Sequence, residues 1–411
     1  MTGFRKLLST LMSLALIAGC SSGSDLVLTE PDNNISTSAE VFSETDRSMP
    51  IIVSFNNDYK GLITENEPIA KADSRSPYKY FIKLVNSARE SINAALYDIQ
   101  DPDIAAALIR AKNRGVNVRV TTDNDSLKDK EDPTKRRKVI VDMENAGIVV
   151  KDDKRGKLMH HKFLVVDNVT VWTGSMNVTT SSMYHHNNNS IMIRSPRLAE
   201  NYNAEFKRMF EQNMYGPNPH TIPNKVVNVN GITIRTYFSP AGNTMSAVID
   251  EMKKAKKSIK FMAFSMTDKN ILATMIDKKK AGVNVEGVFD NCLIPQYSIF
   301  WDLKKADILA LRDGNQALMH HKVMIIDDDI VITGSFNFSK SAEEGNNENT
   351  IILRSQSIAK QYNAEYGRIK SASLNNKDLP PYDHPACDKQ ENPNTTVPSP
   401  PVMPGQEEIP E

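Results

Sequence analysis

The chain has 411 residues, 40% of them hydrophobic, which suffices for two or three domains with sizeable cores and excludes a polypeptide too polar to fold. Its formal net charge is zero, and that balance conceals acidic ends around a basic body. The three cysteines follow no spacing pattern, so a disulfide framework has no support.

At the start, Arg5 and Lys6 precede an apolar run from Leu7 to Ile17 and then Ala18-Gly19-Cys20-Ser21, a processing segment too short for a comfortable membrane span. Its ending resembles the lipobox of bacterial lipoproteins. The resemblance implies a signal peptide over residues 1–20, lipidation of Cys20, and export to a lipid-anchored place in the bacterial cell envelope. Ser21 rather than Asp after the cysteine implies the outer membrane where the cell has one. Cys292 and Cys387 then remain, as a disulfide in an oxidising compartment or as two independent thiols.

Residues 21–48 carry six acids against Arg47, net −5, and read as a disordered acidic tether. Residues 378–411 are Pro-rich with net −6 and read as a disordered tail. The body between them therefore carries +9, which suits an anionic phosphodiester, lipid or nucleic acid alike.

Within the body, Ile51 to Phe55 reads as a strand, followed by an insertion from Tyr59 to Ala72. Phe81 to Arg89 has helical spacing, Ile92 to Tyr97 reads as a strand, Asp101 to Lys112 as an amphipathic helix ended by Gly115, and Val116 to Val120 as the next strand. Further on, Ile232–Phe238, Ala247–Lys257, Ile259–Phe264, Asp268–Lys280 and Val283–Val288 follow the same order, offset by 167 at the shared Gly-Val-Asn-Val. This alternation predicts an α/β fold of two halves, each a mainly parallel sheet flanked by helices and related by a pseudo-twofold axis. The halves span residues 49–214 and 231–377, joined by a turn-rich linker over 215–230. The charged segment Asp123 to Lys138 makes the first half seven residues longer there, and such loops either gate a mouth or merely decorate it.

Met159-His160-His161-Lys162 runs into an apolar strand closed by Asp167, then Gly174-Ser175-Met176-Asn177. Met319-His320-His321-Lys322 repeats it, with Asp327 and Gly334-Ser335-Phe336-Asn337, each position offset by 160. Strand alternation sends His160 and Lys162 to one face and His161 to the other, and likewise in the second copy. An imidazole, an ammonium, a hydroxyl and an amide at strand ends suit a phosphate. Two histidines can divide nucleophile and acid while Lys162 and Lys322 hold the non-bridging oxygens, so no metal or cofactor is expected.

The spacing H-x-K-x4-D, six residues, G-S-x-N resembles the signature of the phospholipase D superfamily and is met in full twice, within a resemblance running from about Met49 to Lys370. It implies a catalytic set of His160, Lys162, Asp167, His320, Lys322 and Asp327, in which Asp167 and Asp327, at strand ends, order the site rather than touch substrate, with Ser175, Asn177, Ser335 and Asn337 binding the substrate phosphate. A carboxylate is usual in the family at Glu348, where it orients an imidazole; the first half has Asn188 instead, so the two histidines should differ in basicity. By analogy, His160 is the nucleophile and His320 the acid. The activity implied is hydrolysis of phospholipid head-group diesters at a membrane surface by a monomer holding both motifs in one site. A metal-independent endonuclease, a cardiolipin synthase-like phosphatidyltransferase and a degenerate anion-binding protein are the alternatives. His185 and His186 read as a polar loop near the first site.

Overall fold

A computed structural model describes residues 42–57, 63–218, 221–292, 294, 298–315 and 317–375. The expected signal peptide, Cys20, residues 21–41 of the tether and the tail lie outside these residues, and none of the described helices is long and apolar enough to cross a membrane.

The first half supplies β1 (Ile51–Phe55), β2 (Ser91–Leu96), β3 (Asn117–Thr122), β4 (Val149–Asp152), β5 (Lys162–Val166), β6 (Thr170–Gly174) and β7 (Asn189–Arg194), in the sheet order β1-β7-β6-β5-β2-β3-β4. The second supplies β8 (Val226–Val229), β9 (Ile232–Ser239), β10 (Ser258–Ala263), β11 (Asn284–Phe289), β12 (Leu309–Arg312), β13 (Lys322–Ile326), β14 (Ile330–Gly334) and β15 (Glu348–Arg354), in the order β12-β11-β10-β13-β14-β15-β9-β8. Apart from β8 the two orders superpose. The α/β class and the two flanked halves stand.

The expectation of mainly parallel sheets does not. Only β2-β3-β4 and β10-β11-β12 pair in parallel, each through a helical crossover, and the other neighbours are antiparallel. The motif strand is the reason: β5 runs antiparallel to β2 and turns back through a tight hairpin into β6. Asp167 and Asn168 open that hairpin with φ of 52° and 57°, and Asp327 and Asp328 open its twin with 53° and 56°, a backbone that Asp and Asn tolerate better than most residues.

Other boundaries also move. A short helix, Glu44–Ser48, packs on the body, where Phe42 stacks on Tyr80 and Asp46 accepts from the Tyr80 hydroxyl, so part of the expected tether belongs to the folded body. The last stretch of the expected linker is β8, paired with β9, and Tyr215 at its start is buried with its hydroxyl on Thr121.

One apolar cluster joins the halves. It includes Phe163 and Val165 of β5, Val323 and Ile325 of β13, Tyr202 and Phe206 of the helix Pro196–Phe210, and Tyr362 and Tyr366 of the helix Gln356–Asn375. Further clusters cover the other face of each sheet. Both faces of β5 and β13 are therefore covered, which accounts for their continuously apolar sequences.

Candidate active site

His160 and His320 sit two residues before β5 and β13, where the chain enters each sheet beside the other half. Two pairs of bridges make the join reciprocal: Met159 lies beside Asn347 and Met319 beside Asn187, and Asn187 and Asn347 donate their N–H groups to the Leu318 and Leu158 carbonyls. A contact of one residue with a second, mirrored by their counterparts, is the mark of a twofold interface.

Across that join each imidazole is oriented by the opposite half. His160 Nδ1 lies 2.8 Å from both carboxylate oxygens of Glu348 at the start of β15, and His320 Nδ1 lies 2.9 Å from Asn188 Oδ1 just before β7. Both acceptors place the hydrogen on Nδ1 and leave Nε2 for substrate. The rings also rest edge-on against Tyr97 and Phe264, at centroid separations of 4.8 and 4.5 Å. Lys162 and Lys322 are buried, donate to the His160 and His320 carbonyls, and lie over the same two rings at 4.8 and 4.4 Å.

The four cationic groups share one electrostatic neighbourhood. Burial, then both lysines, push His160 well below the ordinary imidazole value; burial, then Lys322, His186, Lys162 and His160, do the same for His320. Burial lowers Lys162 to about 7, and burial followed by Lys162 lowers Lys322 well below its usual range. Burial raises Glu348 to about 7, against the pull of Lys162 and the hydrogen bond from Ser335.

The remaining motif residues divide differently from the sequence expectation. Ser175 and Ser335 were expected on the phosphate, but both are fully buried and their hydroxyls are committed inside the protein. Ser175 donates to Asn188 Oδ1 at 2.9 Å and Ser335 to Glu348 at 2.6 Å, while each accepts the N–H of Asn189 or Asn349. They orient the orienting residues. The preceding glycines, Gly174 and Gly334, run so close to the Asn189 and Asn349 carbonyls that a Cβ would fall 2.2 Å from either oxygen, and their φ of 152° and 149° disfavours any side chain. Asn177 and Asn337 are half-buried, with side-chain oxygens that have no partner in the protein.

Asp167 and Asp327, expected in the catalytic set, lie at the far ends of β5 and β13. Asp167 accepts the N–H groups of Arg89, Glu90 and Ser91, and Asp327 those of Lys256, Lys257 and Ser258, which fastens the turn leading into β2 or β10. A five-residue strand, roughly 17 Å at 3.3 Å per residue, separates them from the histidines, so they build the scaffold.

His161 and His321 point away from the cleft, as strand parity requires. Each is fully buried in a pair with Glu205 or Glu365, which Arg208 or Arg368 holds by two hydrogen bonds. A cavity of about 190 Å³, lined in part by Glu205 and Arg208, lies on this side, and neither His160 nor His320 lines it.

Sequence reasoning missed two sets of residues. Asp123 and Asp290, both buried, accept the N–H groups of Met159 and Met319 at 2.9 and 2.8 Å and thereby brace the backbone entering His160 and His320. Asn189 and Asn349 tie the halves together, through Asn189 to Thr333 and Thr173 to Asn349. The signal for the first set was present: Asp123-Asn124 and Asp290-Asn291 follow their strands at the 167-residue offset. Of the cysteines, Cys292 is disulfide-bonded, and Cys20 and Cys387 lie outside the described residues.

Comparison with known proteins follows the same outline. A family model described as "Cardiolipin synthase, PLD-like domain" matches residues 81–210 and 248–370, more than half of the chain. A phospholipase D of Rickettsia typhi is 34% identical over 130 residues, 31% of this chain and 64% of that protein, so the chain spans just under two thirds of that relative. A mitochondrial cardiolipin hydrolase of Xenopus tropicalis is 30% identical over 145 residues, 35% of this chain and 65% of that protein. The solved phosphatidylserine synthase of Haemophilus influenzae shares the fold, with a TM-score of 0.54 at 13% identity, over 72% of this chain and 83% of that one.

Proposed function

Because the chain belongs to the phospholipase D-like family, we propose that it hydrolyses phospholipid head-group phosphodiesters through a phosphohistidine, releasing phosphatidic acid and an alcohol. The observation that carries this reading is the reciprocal pairing of His160 with Glu348 and His320 with Asn188, which gathers two imidazoles and two lysines from both halves.

The same pairing supports a division of roles. His160 attacks phosphorus through Nε2; the Glu348 carboxylate, on Nδ1, supports the positive charge that the phosphorylated ring acquires. Asn188 gives His320 no such support, so protonated His320 releases its Nε2 proton readily to the leaving alcohol oxygen as the P–O bond breaks. In the second step His320 takes a proton from water as that water attacks phosphorus and expels His160. Lys162 and Lys322 offset charge on the non-bridging oxygens. Asn177 and Asn337, rather than the serines, are the Gly-Ser-x-Asn groups left to meet the substrate.

A lipid anchor at Cys20 and the acidic segment after it would hold the body beside its substrate at the cell envelope, as a monomer. The test uses the purified chain with chelator present, offered phosphatidylcholine vesicles, cardiolipin vesicles and plasmid DNA in parallel. Release of head group together with phosphatidic acid is the expected result. Plasmid nicking without lipid turnover would transfer the site to nucleic acid, and inertness toward all three would leave an anion-binding protein.

A further inference from the structure

Besides the unlike pairs Glu348 and Asn188 and Tyr97 and Phe264, the pseudo-twofold relation between the two half-sites fails at one further position. At the first half-site, Asn346 is committed inside the protein: its amide nitrogen donates to Glu348 Oε1 at 3.3 Å and its oxygen accepts the Leu158 N–H at 3.2 Å. Its counterpart at offset 160 is His186. That ring lies 6.2 Å from the His320 ring, centre to centre, at a tilt of 49°.

The backbone leaves His186 little freedom to be elsewhere. Its N–H donates to the Ser181 carbonyl, the next residue, Asn187, donates to Leu318, and the Asn187 carbonyl accepts the His320 N–H at 2.9 Å. His186 is half-buried, whereas His320 is only 5% exposed and Asn188 is fully buried. Of the groups around His320, it thus combines solvent access with an imidazole, whose ring nitrogens can donate or accept a hydrogen bond.

We propose that His186 is a third imidazole of the catalytic centre, contacting the departing group on the His320 side through a hydrogen bond to its oxygen. This rests on the reading of His320 as the acid. A phosphodiester has unlike ends, one kept on phosphorus and one released, and the protein is unlike at the matching place. The carboxylate serves the half that holds phosphorus, and the extra imidazole serves the half that loses the alcohol. Electrostatic influence of His186 on His320 agrees with their proximity.

His186→Asn tests this, since the other copy carries Asn at the corresponding position and the fold accommodates it there. Turnover is compared on two substrates: short-chain phosphatidylcholine, whose alcohol leaves poorly and needs a proton, and bis(p-nitrophenyl) phosphate, whose phenol leaves without one. The expected result is a loss of about tenfold to a hundredfold in kcat/KM on the first and less than about threefold on the second, at an unchanged melting temperature. Equal losses on both substrates would mean a structural or phosphate-binding role and overturn the assignment, as would no loss on either. A wild-type chain inert toward both substrates defeats the proposed activity itself, a result distinct from an active wild type with an equally active variant.

Discussion

The two half-sites are built from the same words and finish differently. Around His160 stand a carboxylate, an asparagine already committed to it, and a tyrosine; around His320 stand a neutral amide, a half-buried imidazole and a phenylalanine. A duplicated scaffold can place two imidazoles symmetrically, but a reaction with an attacking and a departing side gains from giving them unequal proton affinities. The difference teaches that symmetry here belongs to the backbone and asymmetry to the groups one hydrogen bond behind the histidines.

The strongest way to break the comparison is to remove either ring. His160→Ala and His320→Ala should each lower turnover at least about a thousandfold with the melting temperature nearly unchanged, measured on whichever diester the wild type cleaves. Near-normal activity in either variant would end the division of labour between them.

Sharpening comes from the partners. Glu348→Gln makes the two orienting groups alike and should lower kcat by about a hundredfold, whereas Asn188→Ala, which removes a neutral partner, should cost about tenfold. The reverse ranking, read from kcat under saturating substrate, would exchange the roles of the histidines.

Smaller effects separate scaffold from chemistry. Asp167→Ala and Asp327→Ala each release three backbone N–H groups and should destabilise by about 2 to 3 kcal/mol in denaturant titrations, while kcat of the folded fraction is retained. His161→Ala should likewise act on stability, by about 2 kcal/mol, because the ring is fully buried against Glu205 and plays no part in the cleft.

The smallest effect concerns a buried acid pair found in the first half. Burial, then the charge of Asp123, raises Asp153 to about 7, and burial raises Asp123 to about 6; one Asp153 oxygen has no partner in the protein. A carboxyl raised in the folded state contributes its full stability below the unfolded value near 4 and loses it as pH climbs through about 7. Asp153→Asn should therefore flatten the stability curve between pH 4 and pH 8 and raise stability at pH 8 by about 1 kcal/mol. In the second half, Asp313 accepts the Asn291 and Asn315 N–H groups with its two oxygens, so Asp313→Asn should lower stability at the same pH.

Much of the site was legible because its signals are local. The 160-residue repeat named His160, Lys162, His320 and Lys322, and the two-residue alternation of a strand alone turned His161 and His321 away from them. Glu348 and Asn188 were also legible as unequal orienting groups. The strand-end positions of Asp167 and Asp327 already marked them as ordering residues; what the spacing could not convey was which backbone N–H groups they hold, those of Arg89, Glu90 and Ser91 or of Lys256, Lys257 and Ser258.

By itself, then, the sequence determined two copies of a strand-borne imidazole and ammonium, the faces on which they lie, and the α/β alternation, because each depends on periodicity within a few residues. Only the tertiary structure decided that β5 and β13 run against their neighbours, that Glu348 serves His160 across the join instead of His320 in its own half, and that Ser175 and Ser335 point into the protein. The first rests on strand pairing, the second on hydrogen-bond partners 188 residues apart, and the third on partners 13 and 14 residues further along that only the fold of each half brings back to the serines; none of these follows from a local periodicity.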